Sequence, residues 1–511
     1  MMRRSLVFLL LPVLFAGLLA TSILSDEPKA PKPPTKPVQP ESKPAQPEPK
    51  PAKDPKVGKT EDYYELQKLL VDTLDQVERN YVKDVSRREL VEAAIKGVLE
   101  KLDPYSSYIS PDELGLFRVS VESEFGGIGI QISMDGGQLR VLSPLVGTPA
   151  YRAGLMTGDR ILEIDGKPTA GLNIEQAVKR LKGEVGTSVV LTVLHPGKAK
   201  QEQVNVVREN IHVETVLGER RGTDDKWDYM LDREKKIAYV RIAAFSRDTA
   251  RELREVMERL QKDKLRGLIL DLRFNPGGLL SSAIEVSDLF VADGRIVSTK
   301  GRNSPERTWN AHKEGTFLGF PAVVLVNRFT ASASEIVAAC LQDHKRALIV
   351  GERTWGKGSV QNVIELEEGR SALKLTTASY RRPSGKNIHK FPDSKEGDEW
   401  GVTPDKGYQM KLTEHELQML VEDRRTRDVV QPKQVAQAEP AKHQENKPEQ
   451  AKPEPGKPDP NKTKAAENKA QPPQPPAKPE KPPAALEQAK FIDPQLRIAV
   501  DYLTGELARA K

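Results

Sequence analysis

T-A-S-A-S-E-I runs from Thr330 to Ile336, and G-E-R-T-W-G-K-G-S-V-Q from Gly351 to Gln361. The first string follows a short apolar run, A-V-V-L-V-N (Ala322–Asn327), and opens a helical pattern carrying Ile336, Val337, Cys340 and Leu341. Ser332 therefore stands where a strand gives way to a helix. The second string ends another apolar run, A-L-I-V-G (Ala347–Gly351), and sets Lys357 between two glycines with Gln361 four positions on. Short buried strands alternating with helices predict an α/β layer architecture here.

These residues together supply what a Ser–Lys hydrolase needs. A serine hydroxyl is a poor nucleophile until a base takes its proton. A helix N-terminus offers oriented N–H donors and the positive dipole end. A lysine acts as base only when neutral, so its pKa must fall from about 10.4 to roughly 7–8. Burial can do this, and Trp355 with the apolar helix face is expected to keep the amine dry. Read singly, the residues have plainer accounts. Ser332 and Glu335 form the S-x-x-E of a capping box, Lys357 is a solvated lysine, and N-P-G-G (Asn275–Gly278) is a strand-to-helix turn.

Other chemistries fit less well. No G-x-S-x-G elbow is present. His344 lies three turns along a continuous helix, about 18 Å from Ser332, too far to take its proton. Asp343 reads as structural. H-E-L-Q-M (His415–Met419) lacks the second histidine of a zinc protease. Cys340, the one cysteine, reads as core and rules out a disulfide within the chain or a multi-cysteine metal site.

Working outward, I-A-Y-V-R-I (Ile237–Ile242) and G-L-I-L-D-L-R (Gly267–Arg273) read as strands. Asp248–Lys262 and Ser281–Phe290 read as helices. Before them come F-G-G-I-G-I-Q-I (Phe125–Ile132), S-P-L-V-G-T-P-A-Y-R-A-G-L (Ser143–Leu155) and G-D-R-I-L-E-I-D-G (Gly158–Gly166). A helical run (Ile174–Leu181) and a strand, S-V-V-L-T-V-L (Ser188–Leu194), complete this part. Tyr63–Glu100 has helical spacing and ends at the turn L-D-P-Y-S-S-Y (Leu102–Tyr108). Arg3 and Arg4 followed by the apolar Leu6–Ala20 form an export signal, cleaved after Ser22 or retained as an anchor. Asp26–Lys56 and Val430–Pro483 are Pro/Lys-rich spacers that cannot bury a core. The charge balance, +6 over 511 residues, sits largely in these tracts and marks no nucleic-acid groove.

The glycine-turn strings resemble a PDZ domain. The Ser332–Lys357–Gln361 string, with 25 positions between serine and lysine, resembles the C-terminal processing (tail-specific) peptidases. The resemblance implies a multidomain α/β chain: a helical module (59–118), a β-sandwich-like PDZ domain (119–210) and a ClpP/crotonase-like protease core (211–428). Residues 1–25 would be the signal or anchor, 26–58 a linker, 429–488 an insertion, and 489–511 a helix returning to the core. It implies Ser332 as nucleophile, Lys357 as base and Gln361 as its orienting partner. Gly278 and Ala333 would form the oxyanion hole, and Gly126, Gly127, Ile128 and Gly129 would bind a peptide's terminal carboxylate. Lys182, where many relatives carry arginine, would couple PDZ occupancy to catalysis. No metal or other cofactor is implied. The expected partners are protein substrates with unstructured C-terminal tails. A homo-oligomer and an envelope adaptor stay open. No nucleic acid is expected, and a membrane only through an uncleaved N-terminal segment. The expected location is the periplasm or cell envelope. The competing reading is a catalytically silent exported PDZ scaffold.

Overall fold

The computed structural model describes residues 62–122, 124–303, 305–430 and 491–509. The expected export signal and, Val430 apart, both expected Pro/Lys-rich spacers lie outside the described residues. No helix among those described is long and apolar enough to cross a membrane.

The largest domain is built on a sheet ordered Val216–Leu217, Ile237–Ile242, Gly267–Asp271, Ala322–Val326, Leu348–Gly351. Its three central pairings are parallel. Alternate residues face opposite sides. Ala238, Val240, Leu268, Leu270, Val324 and Val326 pack under the helices Thr249–Lys262, Leu280–Asp288 and Ala333–Asp343. Ile237, Tyr239, Ile269, Val323 and Leu325 meet Ala499, Leu503 and Leu507 of the last helix, Pro494–Arg509. Both faces being covered explains why these strands read as unbroken apolar runs.

A second sheet centres on the long strand Ser371–Arg381. Ser359–Leu366, which leads away from Lys357, runs along it with Gln361 opposite Thr376. Ser107–Ile109 of the helical module pairs with it too, Ser107 opposite Lys374. This pairing brings the L-D-P-Y-S-S-Y turn to the second sheet.

The central domain is a six-strand antiparallel sheet, five strands ordered Ile130–Asp135, Gln138–Pro144, Arg160–Ile164, Ser188–Leu194, Glu202–Val207, with the short Lys167–Pro168 pairing Arg160–Ile164 off that path. Its buried core includes Leu139, Ile161, Ala177, Leu181, Val189 and Leu191. Ile130–Asp135 is an edge strand, and the helix Ile174–Leu181 lies beside it. The expected glycine turn is narrower than its sequence suggests. Gly126 and Gly127 belong to a strand, Glu124–Gly127, paired with Glu209–His212. Only Ile128 and Gly129 connect it to Ile130–Asp135.

The helical module differs from its simple reading. Tyr63–Asn80 and Arg87–Glu100 are separate helices. The first has no buried residue, so Leu66, Leu69 and Leu70 stay exposed despite their three- and four-residue spacing.

Candidate active site

Ser332 caps the Ala333–Asp343 helix in an unusual way. Its φ is +58° and its ψ −118°, a conformation that costs a non-glycine residue on the order of 1–3 kcal/mol. Only half of the expected capping box forms. Glu335 Oε2 accepts the Ser332 N–H at 2.8 Å, while Ser332 Oγ is buried and has no hydrogen-bond partner. The hydroxyl is thus presented on a sharp strand-to-helix turn, although the surrounding sequence lacks the G-x-S-x-G elbow.

Glu335 also receives the lysine loop. Its Oε2 accepts the Lys357 N–H at 2.8 Å, and its Oε1 accepts the Gly356 N–H at 2.7 Å and the Thr354 hydroxyl. Trp355 N–H donates to the Thr330 carbonyl at 2.9 Å. The loop is therefore tied to residues on both sides of Ser332. Burial pushes the Glu335 carboxyl upward, against the four donors that favour its anion.

Lys357 is 1% exposed, and its Nζ has no hydrogen-bond partner. Burial brings its pKa down to about 7. The like charge of Lys374 acts in the same sense, and Glu335 and Asp103 oppose it. Trp355 does not supply the dryness expected of it, being 52% exposed. Tyr105 does the covering instead, its ring centroid 5.2 Å from Nζ. Gln361 is buried beside them, but its amide nitrogen donates to Ser359 Oγ at 2.9 Å and Thr376 Oγ1 at 3.1 Å. Ser332 and Lys357 are not joined by a hydrogen bond, nor are Lys357 and Gln361.

The N-P-G-G turn lies against the serine. Asn275 accepts the Ala331 N–H through its carbonyl and the Gly277 N–H through Oδ1. At Gly277 (φ +104°) an added Cβ would fall 2.7 Å from Ser332 Cβ. At Gly278 (φ +146°) it would fall 2.0 Å from the Phe245 carbonyl oxygen. Only glycine fits either position. The Gly278 and Ala333 N–H groups meet no acceptor among the described residues.

Asp343 binds Arg382 and the Ser384 N–H. His344 contacts the Arg295 carbonyl. Neither reaches the serine. Burial pushes the Cys340 thiol up to about 12, which leaves it inert. Lys182 lies over the Phe125 ring at 4.6 Å, just before the narrowed turn. Sequence reading missed the joining role of Glu335, seen there only as a cap. It also missed Thr354, Lys374, Asp103, Tyr105 and Thr376. Asp103 and Tyr105 reach the site through strand pairing across more than 200 residues of chain, which no local spacing announces, while Lys374 and Thr376 stand on the strand that pairs with Ser359–Leu366.

A buried serine at a helix start and a buried lysine on an α/β core are the groups that a serine peptidase of the Ser–Lys kind would use. Comparison with known proteins agrees. The model of peptidase family S41 matches residues 236–406, and a PDZ domain model matches 140–194. A model described as the activating protease CtpB N-terminal domain matches 38–113. The carboxy-terminal-processing protease of Bartonella bacilliformis is 39% identical over 362 residues, 68% of this chain and 78% of that protein. The carboxy-terminal processing protease CtpA of Bacillus subtilis is 36% identical, over 62% of this chain and 65% of that protein. The solved photosystem II D1 C-terminal processing protease is 30% identical, with a TM-score of 0.39 over 68% of this chain and 93% of that one. The chain belongs to peptidase family S41, and within it to the serine-type carboxy-terminal processing proteases.

Proposed function

We propose that this chain is an exported endopeptidase that grips unstructured C-terminal tails and cuts the protein at or near them. Ser332 Oγ attacks the peptide carbonyl. Lys357 Nζ takes its proton and passes it to the leaving amine, then activates the water that hydrolyses the acyl-enzyme. Gln361 orients the lysine, and the N–H groups of Gly278 and Ala333 hold the oxyanion. The observation that carries this reading is that Ser332 Oγ and Lys357 Nζ are both buried and both unpartnered, on loops held by one carboxylate. Most buried polar atoms are satisfied, so a serine oxygen and a lysine amine left without hydrogen bonds on two segments bound by one carboxylate point to a site awaiting substrate.

The tail's carboxylate would be received around Gly126, Gly127, Ile128 and Gly129. Its backbone would extend the sheet at the free edge of Ile130–Asp135. Lys182, packed on Phe125 beside this turn, would signal occupancy to the core. The core is read as ClpP/crotonase-like, within the domain limits given above. The location is read as periplasm or cell envelope, with protein substrates and assembly into a homo-oligomer.

The missing Ser332–Lys357 bond also suits a scaffold that grips tails without cutting. A folded reporter with an unstructured apolar-ended tail separates the two. Cleavage by the wild type that is lost in Ser332→Ala and Lys357→Ala, and on amidation of the tail's carboxylate, supports the peptidase reading. Binding without cleavage from pH 6 to 9 supports the scaffold.

A further inference from the structure

We propose that the turn Leu102–Tyr108 of the helical module is part of the active site, with Tyr105 and Asp103 as positioning residues for Lys357 and Gln361. The inference rests on the Ser–Lys reading above. Tyr105 lies over the lysine amine, its hydroxyl receives the Trp355 indole N–H at 3.4 Å, and its ring packs edge-on against His389. It walls off the side of Lys357 that exposed Trp355 leaves open.

Asp103 works through a chain of hydrogen bonds. Its Oδ1 accepts the N–H groups of Tyr105 and Ser106 and the Thr376 hydroxyl at 3.2 Å. Thr376 Oγ1 in turn accepts the Gln361 amide at 3.1 Å. Ser106 Oγ donates to Asp103 Oδ2 and accepts the Thr376 N–H. One carboxylate therefore sets both the aromatic cover of the lysine and the side chain expected to orient it. The charged groups acting on Lys357 are Glu335 on its helix, Lys374 on the long strand and Asp103 on the turn, with His389 on the opposite loop. Of these Asp103, Lys374 and His389 come from segments absent from the serine–lysine string, and only Asp103 comes from the helical module.

The test is the pH profile of kcat/KM on the tail reporter. Tyr105→Ala admits water to Lys357, so the acid limb moves up by about one pH unit and activity lost at pH 7 returns at pH 9. Tyr105→Phe keeps the ring and restores the limb to its wild-type position. Asp103→Asn keeps an acceptor but removes the charge, so the limb moves down. Asp103→Ala lowers kcat about 10-fold or more with KM little changed, and adding Thr376→Val to it costs nothing further because both break the same chain. Thermal unfolding of each variant identifies simple misfolding. If Tyr105→Ala and Asp103→Asn keep the wild-type limb while Lys357→Ala is inactive, this inference fails and the Ser–Lys reading stands. If Lys357→Ala cuts like the wild type, the Ser–Lys reading itself fails.

Discussion

Glu335 Oε2 accepts the backbone N–H of Ser332 and that of Lys357, each at 2.8 Å. The side chain that looks like a helix cap thus ties together the backbone of the two residues that carry the candidate reacting groups. Glu335→Ala strands four buried donors, at about 1–3 kcal/mol for each one left unpaired. We expect it to lower thermal stability and to reduce kcat at least 100-fold. Glu335→Gln, which must turn an N–H toward a donor, should lie between. Wild-type turnover in either variant would show that the loops are held by other means.

Lys357 is charged in the unfolded chain up to about pH 10.4, but in the folded protein only below about 7. Its folded pKa is depressed, so the unfolded state binds more protons between these values and stability rises with pH across that window. Below pH 7 the full penalty applies, with an upper limit of about 5 kcal/mol from the shift. Lys357→Met should therefore be inactive yet more stable than the wild type at pH 6, with the gap closing toward pH 10. Denaturant unfolding at several pH values checks this. A constant gap would mean that the amine is not buried in solution.

Gly277→Ala and Gly278→Ala should each abolish cleavage, for different reasons. The first drives a methyl into Ser332 and the second into the Phe245 carbonyl, in backbone regions hostile to any Cβ. Gly278→Ala should also lower the melting temperature, since the carbonyl it meets is backbone. Active-site labelling with a serine-reactive fluorophosphonate reports on both; labelling at the wild-type rate would contradict the close approach.

The returning helix is held by a buried charge cluster. Arg273 bridges Asp271 and Asp493, each at 2.7 Å, and Arg424 adds a second cation to Asp271. The arginines hold both carboxyls below the ordinary range despite burial. Depressed carboxyl pKa values stabilise above about pH 4, and that stability is lost as the pH falls through the folded values. Asp493→Ala leaves Arg273 partly uncompensated and should cost about 3–5 kcal/mol at pH 7, with a smaller difference from the wild type at pH 3. Limited proteolysis should then release the Pro494–Arg509 helix first. Equal resistance in the variant would mean that Ala499, Leu503 and Leu507 suffice to hold it.

Sequence alone determined the elements and the chemistry that neighbours in the chain carry. Ile174–Leu181 and Ser188–Leu194 form as their periodicity predicts, because burial of one face is written every second or every third to fourth residue, and Ile237–Ile242, buried on both faces, forms from a short continuous run. Ser332, Lys357 and the N-P-G-G glycines could be picked out because a short motif must keep its residue types at fixed spacing. Only the tertiary structure decided what surrounds them. Ser332 gives no local sign of a positive φ; the surrounding turn imposes it. Trp355 looked like the cover of Lys357, but Tyr105 takes that place because Ser107–Ile109 pairs in register with Ser371–Arg381. Asp103 and Thr376 meet across 273 positions by the same pairing. Such contacts depend on which strands become neighbours and in what register, and that is settled by burying the whole core together, not by the spacing of residues within any one segment.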